Sequence, residues 1–255
     1  MNVVLASDLD GTLVRHDIVD SNNVESLNKL KSLGGMFIIA TGRPYNGVYP
    51  LVNKYNLEVD YNILLNGALI IDKDKNIIVH KTIPFDVVFN ISKFVMDLNP
   101  KLSFETGFKT YTLDSVHCNL PYDDKEIIFD INNISNDDIS LVSMYFEDLS
   151  LEKIDDICRT INDLFGEYCV AYRNTSYIDV VPCGCSKGSA IEYVCSSMNI
   201  DYDNLYTIGD SFNDVSMFDI TNNSFTFYDC ENELKNYVSN VVSSVSQCID
   251  DYIIG

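Results

Sequence analysis

Asp8 and Asp10 stand two positions apart in "ASDLDGTLV" (6–14), directly behind the apolar run "VVLA" (3–6). Two carboxylates that close repel each other and resist leaving water. A solvated turn, a calcium loop or a catalytic metal site would each accommodate them. The calcium loop fails on register. With Gly11 at its sixth position, Ala6 would have to supply the first ligand and Asp17 would replace the closing glutamate. A divalent cation between Asp8 and Asp10 would reverse the local electrostatics, and magnesium needs only a few hard oxygen ligands.

Three further stretches offer complementary chemistry. "IIATGRP" (38–44) follows an apolar run with a hydroxyl (Thr41), a glycine amide (Gly42) and a guanidinium (Arg43), a set that suits phosphoryl oxygens. "CSKGSAI" (185–191) puts Lys187 at the start of a helix, where its charge opposes the helix dipole unless an anion lies nearby. "TIGDSFNDVSMF" (207–218) ends a strand on Asp210 and brings Asn213 and Asp214 within one helical turn. Each has a plain structural alternative: a turn, a surface lysine, a pair of helix caps. Together, four carboxylates, a lysine, a threonine and an asparagine suit metal-assisted phosphoryl transfer.

The elements that must position these groups alternate. Apolar runs at 3–6, 36–40 and 62–71 are separated by an amphipathic segment carrying Val24, Leu27, Leu30 and Leu33, with Asn22 and Glu25 as its N-terminal capping pair, and by a short, broken helix in "PYNGVYPLVNKYN". This rhythm predicts an α/β, Rossmann-like core with a parallel sheet covered on both faces. The middle reads differently. Short strands ("LSFET", "KTYTL", "LVSMYF", "YCVAYRN", "SYIDVV") surround only two helices, the second with Ile154, Ile157, Ile161 and Leu164 on one stripe. An inserted α+β cap domain with an antiparallel sheet is expected at 84–184, between core segments 1–83 and 185–255. The alternating rhythm then resumes, with helices expected at 187–198, from 213 and near 231–237.

Among the 255 residues, 38 acidic against 17 basic ones give a formal charge of −21, which disfavours nucleic acid and anionic membrane partners. The eight cysteines include no C-x-x-C pair, "MNVVLASDLD" lacks a secretory apolar core, and no run reaches the roughly 18 apolar residues of a membrane helix. A cytoplasmic protein with reduced thiols, no evident protein partner and a monomeric default is expected. His16, His80 and His117 need no catalytic role, since the aspartates cover acid and base chemistry.

The order D-x-D-G-T, T-G-R, S-K-G, G-D-x-x-N-D resembles the haloacid dehalogenase superfamily of phosphohydrolases. "LLNGALI" (64–70) and "IDVVPCGCSKGSAI" (178–191) resemble its Cof-type subfamily, whose large cap is inserted after the second motif. The resemblance implies Asp8 as nucleophile through an aspartyl-phosphate and Asp10 as general acid/base. Mg2+ would be held by Asp8, the Asp10 carbonyl and Asp210. Thr41, Gly42, Lys187 and Asn213 would grip the phosphoryl group, while Asp214 would orient Lys187 or a metal-bound water. Arg43, Asn66, Arg173 and Tyr177 are candidate substrate contacts. A small phosphorylated metabolite, a sugar phosphate or related monoester, is the expected substrate. A phosphosugar mutase and a non-catalytic phospho-ligand sensor fit the same residues.

Overall fold

The computed structural model describes residues 3–113, 125–174 and 176–255, so the expectations for His117 and Cys118 lie outside it. Eight strands form the larger sheet. From edge to edge they are Asn240–Val242, Asn223–Phe227, Leu205–Ile208, Val4–Ser7, Met36–Ala40, Tyr61–Leu64, Leu69–Asp72 and Ile77–His80. The first six are parallel, Leu69–Asp72 pairs antiparallel to Tyr61–Leu64, and Ile77–His80 pairs antiparallel to Leu69–Asp72.

The central strands are mostly apolar because both of their faces are covered, with Ser7 and Thr207 as buried polar exceptions. Alternate residues serve different layers. Leu5, Phe37 and Ile39 pack with Leu27 and Leu30 of helix Ser21–Ser32, Val48 of helix Tyr45–Tyr55 and the C-terminal Cys248 and Ile249. Val4, Ala6, Ile38 and Ala40 pack on the other side with Ala190, Ile191 and Val194 of helix Lys187–Ser197.

A second, six-stranded sheet is built from the inserted segment, in the order Lys125–Ile128, Thr110–Leu113, Lys101–Glu105, Leu141–Tyr145, Tyr177–Pro182, Cys169–Asn174. All its pairings are antiparallel except the first. Helices Phe85–Val95 and Leu151–Phe165 cover one face and close a separate apolar core with Phe104, Val142, Met144, Ile178 and Val180. Among the described residues no helix is long and apolar enough to cross a membrane.

Several local expectations change. The first helix starts earlier than its apolar stripe suggests. Asp20 is the N-cap, accepting from the Asn22 amide at 2.8 Å, while Leu33 ends the helix in solvent. Helix Tyr45–Tyr55 is continuous despite Pro50, which faces water where a lost hydrogen bond is readily hydrated. Residues 62–71 form no single strand, because Leu65, Asn66 and Gly67 all take positive φ and reverse the chain. Leu164 is exposed, and Cys158 completes that helix's buried stripe. The segments after 213 and near 234 are a single 3-10 turn plus a four-residue helix, and a 3-10 turn alone.

Gly188 fixes how close the Lys187–Ser197 helix comes to its neighbour, since a Cβ there would lie 1.9 Å from the Ser216 carbonyl oxygen. Gly188→Ala is expected to destabilise the protein by about 1–3 kcal/mol through overpacking, measured as a lower urea midpoint at unchanged slope.

Candidate active site

The four motifs meet at the carboxyl ends of the central parallel strands, where open α/β sheets bind ligands. Asp8 follows strand Val4–Ser7, its amide donating to the Ile208 carbonyl at 2.9 Å, and Thr41 follows Met36–Ala40 with its amide on Ile63. Gly11 adopts φ +80°, and a Cβ there would sit 2.2 Å from an Asp210 carboxylate oxygen. Only glycine allows the first loop to pass that close.

Lys187 opens its helix behind Ser186, whose hydroxyl accepts from the Ser189 amide at 2.9 Å. The ammonium is 1% exposed and donates to Asp8 Oδ1 at 2.7 Å and Asp214 Oδ1 at 2.6 Å. These are the anions that its place against the helix dipole called for. The other Asp214 oxygen accepts the Asp210 and Ser211 amides at 2.9 and 3.0 Å, so both of its oxygens are engaged in holding the site together. Asp210 accepts from the Thr12 hydroxyl at 2.8 Å.

Carboxylate oxygens of Asp8, Asp210 and Asp214 lie within 4.8 Å of one another. Burial pushes the Asp8 carboxyl well above its usual range despite the pull of Lys187. Burial and the neighbouring Asp214 push Asp210 up to about 6. Burial alone would lower the Lys187 pKa, but Asp214 and Asp8 more than offset it and hold the ammonium above the ordinary lysine value. One lysine does not neutralise three clustered carboxylates, and the all-oxygen donor set fits a hard divalent cation.

The remaining expected residues separate into two groups. Asp8, Asp10, Thr41, Gly42, Asp210, Asn213 and Tyr177 line one cavity of about 370 Å³ between the two sheets. The Asn213 amide oxygen is buried without a hydrogen-bonding partner among the described residues, and turning the amide over would present its NH2 instead. Arg43 also lines the cavity, but its guanidinium forks onto both Asp10 oxygens (Nε to Oδ2 at 2.7 Å) and onto the Gly47 carbonyl at 3.2 Å. Asn66 sits beneath, donating to Asp179 at 3.2 Å and accepting weakly from Asn213 at 3.5 Å. Arg173 does not line the cavity. It pairs with Asp155 at 2.8 Å and lies over the Phe212 ring, because its strand position points it away from the opening.

The ceiling was not anticipated. Ser103, Glu105, Ser143, Asn174 and Asp179, all from the inserted sheet, line the cavity opposite Asp8. Asp179 accepts from Ser143 at 2.7 Å, and burial raises its pKa. The signal was alternation. In "LSFE", "LVSM" and "YIDV", every second residue (Leu102, Phe104, Val142, Met144, Ile178, Val180) enters the apolar core, leaving the intervening residues for the opposite face.

The family of haloacid dehalogenase-like hydrolases matches residues 5–248. A Bacillus subtilis protein, the 5-amino-6-(5-phospho-D-ribitylamino)uracil phosphatase YwtE, is 23% identical over 291 residues, covering 98% of each chain. SMU.1108c from Streptococcus mutans superposes with a TM-score of 0.87 at 20% identity, covering 99% of each chain. The sugar phosphatase BT4131 superposes with a TM-score of 0.84 at 19% identity, covering 99% of this chain and 100% of that one. With nearly the whole chain matched, and the motifs converging on one carboxylate-rich cavity, this protein belongs to the haloacid dehalogenase-like hydrolases.

Proposed function

We propose that the protein is a magnesium-dependent phosphatase acting on small phosphorylated metabolites through an aspartyl-phosphate. The observation that carries this reading is the buried Lys187 held between Asp8 and Asp214, with Asp8 and Asp210 lining the same cavity as Thr41 and Gly42. Residues 84–184 act as the cap, and segments 1–83 and 185–255 carry the chemistry. YwtE and BT4131 are named as phosphatases, of a phosphoribityl compound and of sugar phosphates, which supports a hydroxyl-rich monoester.

In this reading Asp8 attacks phosphorus while the bond to the leaving oxygen breaks, splitting one difficult displacement into two. Lys187 keeps the Asp8 carboxylate oriented and, with Thr41, the Gly42 amide and Asn213, binds the charge on the phosphoryl oxygens. Asp214 fixes Lys187. Asp10 gives a proton to the leaving oxygen, then takes one from the water that hydrolyses the acyl phosphate. Both Asp10 oxygens are occupied by Arg43, so one arm of that fork has to open before Asp10 carries a proton. Arg43 is therefore assigned to holding Asp10. Asp8, the Asp10 carbonyl and Asp210 would hold the magnesium, which supplies neutralisation of the carboxylates and polarisation of the phosphoryl group when bound.

Asp8→Asn is expected to lower kcat on p-nitrophenyl phosphate by about 10³-fold or more, with the fold retained by circular dichroism. Activity surviving that change would overturn the reading. Asp10→Asn is expected to cost about 10²–10⁴-fold on alkyl phosphates, whose leaving oxygen needs a proton. The loss should be far smaller on p-nitrophenyl phosphate, and comparing the two substrates measures the difference.

Metal and proton compete for the same oxygens. In the metal-free protein Asp210 titrates near 6, above its ordinary 3.8, so the native state binds extra protons between those values. Stability from this group is therefore lost as pH rises through that window. Added magnesium should raise Tm more at about pH 7 than at about pH 5, where protons must first be displaced. A thermal melt with and without the ion at each pH reads this directly.

A further inference from the structure

Resting on the phosphatase reading, the geometry points to a charge filter in the cap: we infer that the substrate is a monophosphate whose alcohol portion bears hydroxyl or amino donors and no second anionic group. Three cap strands supply the ceiling. Ser103 pairs in register with Ser143, and Ser143 with Asp179, so these side chains form one row across the sheet. Glu105 stands opposite Leu141 in the next row, on the same face. Glu105 and Asp179 are 1% and 5% exposed, and both line the cavity. Glu105 is fixed from the core side by a relay in which Asn46 donates to Thr110 at 3.2 Å and Thr110 donates to Glu105 at 2.6 Å.

The cap brings no compensating cation to this cavity among the described residues. Five carboxylates line it against one guanidinium, and that guanidinium is committed to Asp10. Lys101 lies on the ceiling's face of the sheet but at its outer end, paired with Glu147 at 3.0 Å and near the Tyr145 ring. Arg173 is turned onto Asp155. Residues 114–124 contain no lysine or arginine, so they add no permanent positive charge from any position. A carboxylate only accepts hydrogen bonds, so a ceiling carrying two of them rewards O–H and N–H groups. A second phosphate or a carboxylate placed there meets like charge in a partly dehydrated space. The volume of about 370 Å³ is at the low end of the roughly 300–1,000 Å³ typical of ligand sites, which fits a compact polyol or amino-polyol. A mutase primed by a bisphosphate would need a cap cation for its resting phosphate, and none lines the cavity among the described residues.

The test uses matched competitors of p-nitrophenyl phosphate hydrolysis in excess magnesium: glucose 6-phosphate and glucosamine 6-phosphate against 6-phosphogluconate, and fructose 6-phosphate against fructose 1,6-bisphosphate. The neutral and amino members should inhibit at concentrations lower by about tenfold or more than their anionic counterparts. Glu105→Gln and Asp179→Asn should each narrow that ratio by improving binding of the anionic member, an effect that a purely structural role would not produce. Equal inhibition within each pair, including none by either member, or stronger inhibition by the anionic member, overturns the charge filter. The wild-type ratios decide this even if a variant fails to fold. Absence of any magnesium-dependent hydrolysis, p-nitrophenyl phosphate included, overturns the phosphatase reading beneath it.

Discussion

The site depends on a buried ammonium. Lys187 is among the largest fully buried side chains in the protein, and a charge taken out of water is tolerated only when paired and hydrogen-bonded. Its two carboxylate partners come from the first strand's end and from the loop after Leu205–Ile208, while the lysine itself opens a helix. Three segments far apart in sequence must therefore arrive together. The local backbone is shaped to permit it: Gly188 lets the helix close on Ser216, and Gly209 leaves room for the Asp214 carboxylate, which a Cβ would approach to 2.4 Å. A buried ion pair is weak evidence of stabilisation, since apolar replacements often do as well. Its presence at the point where a phosphoryl group would be held is better explained by chemistry.

The same arrangement leaves negative charge in excess, and that excess organises the surroundings. Burial raises the carboxyls of Asp8 and Asp210, so in the absence of a metal these groups are pulled toward protonation. A divalent cation held there would favour their ionised forms, which would couple metal affinity to the protonation of these carboxylates. Arg43 adds a second positive charge but spends it on Asp10. Little remains to attract further anionic parts of a substrate, and the cap, with Glu105 and Asp179 facing inward, does not supply the deficit.

Much of the placement of the candidate residues was legible because they sit at strand ends. An apolar run stopping on Asp8, Thr41 or Asp210 marks both a buried strand and the rim where its ligand-binding loop begins, so position and function share one signal. The alternating rhythm and the change to short strands in the middle likewise announced two sheets of different kinds. Residues whose role depends on tertiary partners were less legible. Nothing local says that Arg43 turns to Asp10 or that Arg173 turns to Asp155, because each choice is made by a neighbour remote in sequence. The reversal at Leu65–Gly67 was hidden by the apolar residues on either side, although Asn-Gly is a strong turn signal.

The cap's ceiling was readable in principle but ambiguous in practice. In strands of four to six residues, alternation identifies two faces without saying which covers a site and which covers helices. Only packing decides: Leu102, Phe104, Val142 and Met144 take the helical side, which leaves Ser103, Glu105 and Ser143 over the cavity. This geometry separates two kinds of constraint. The core-facing set fixes the fold through apolar packing, while the cavity-facing carboxylates are fixed by hydrogen bonds, from Thr110 to Glu105 and from Ser143 and Asn66 to Asp179. The candidate groups below are held by charge, because the buried Lys187 pairs with both Asp8 and Asp214. Ceiling and floor are thus held by different interactions, side-chain hydrogen bonds above and a buried ion-pair triad below.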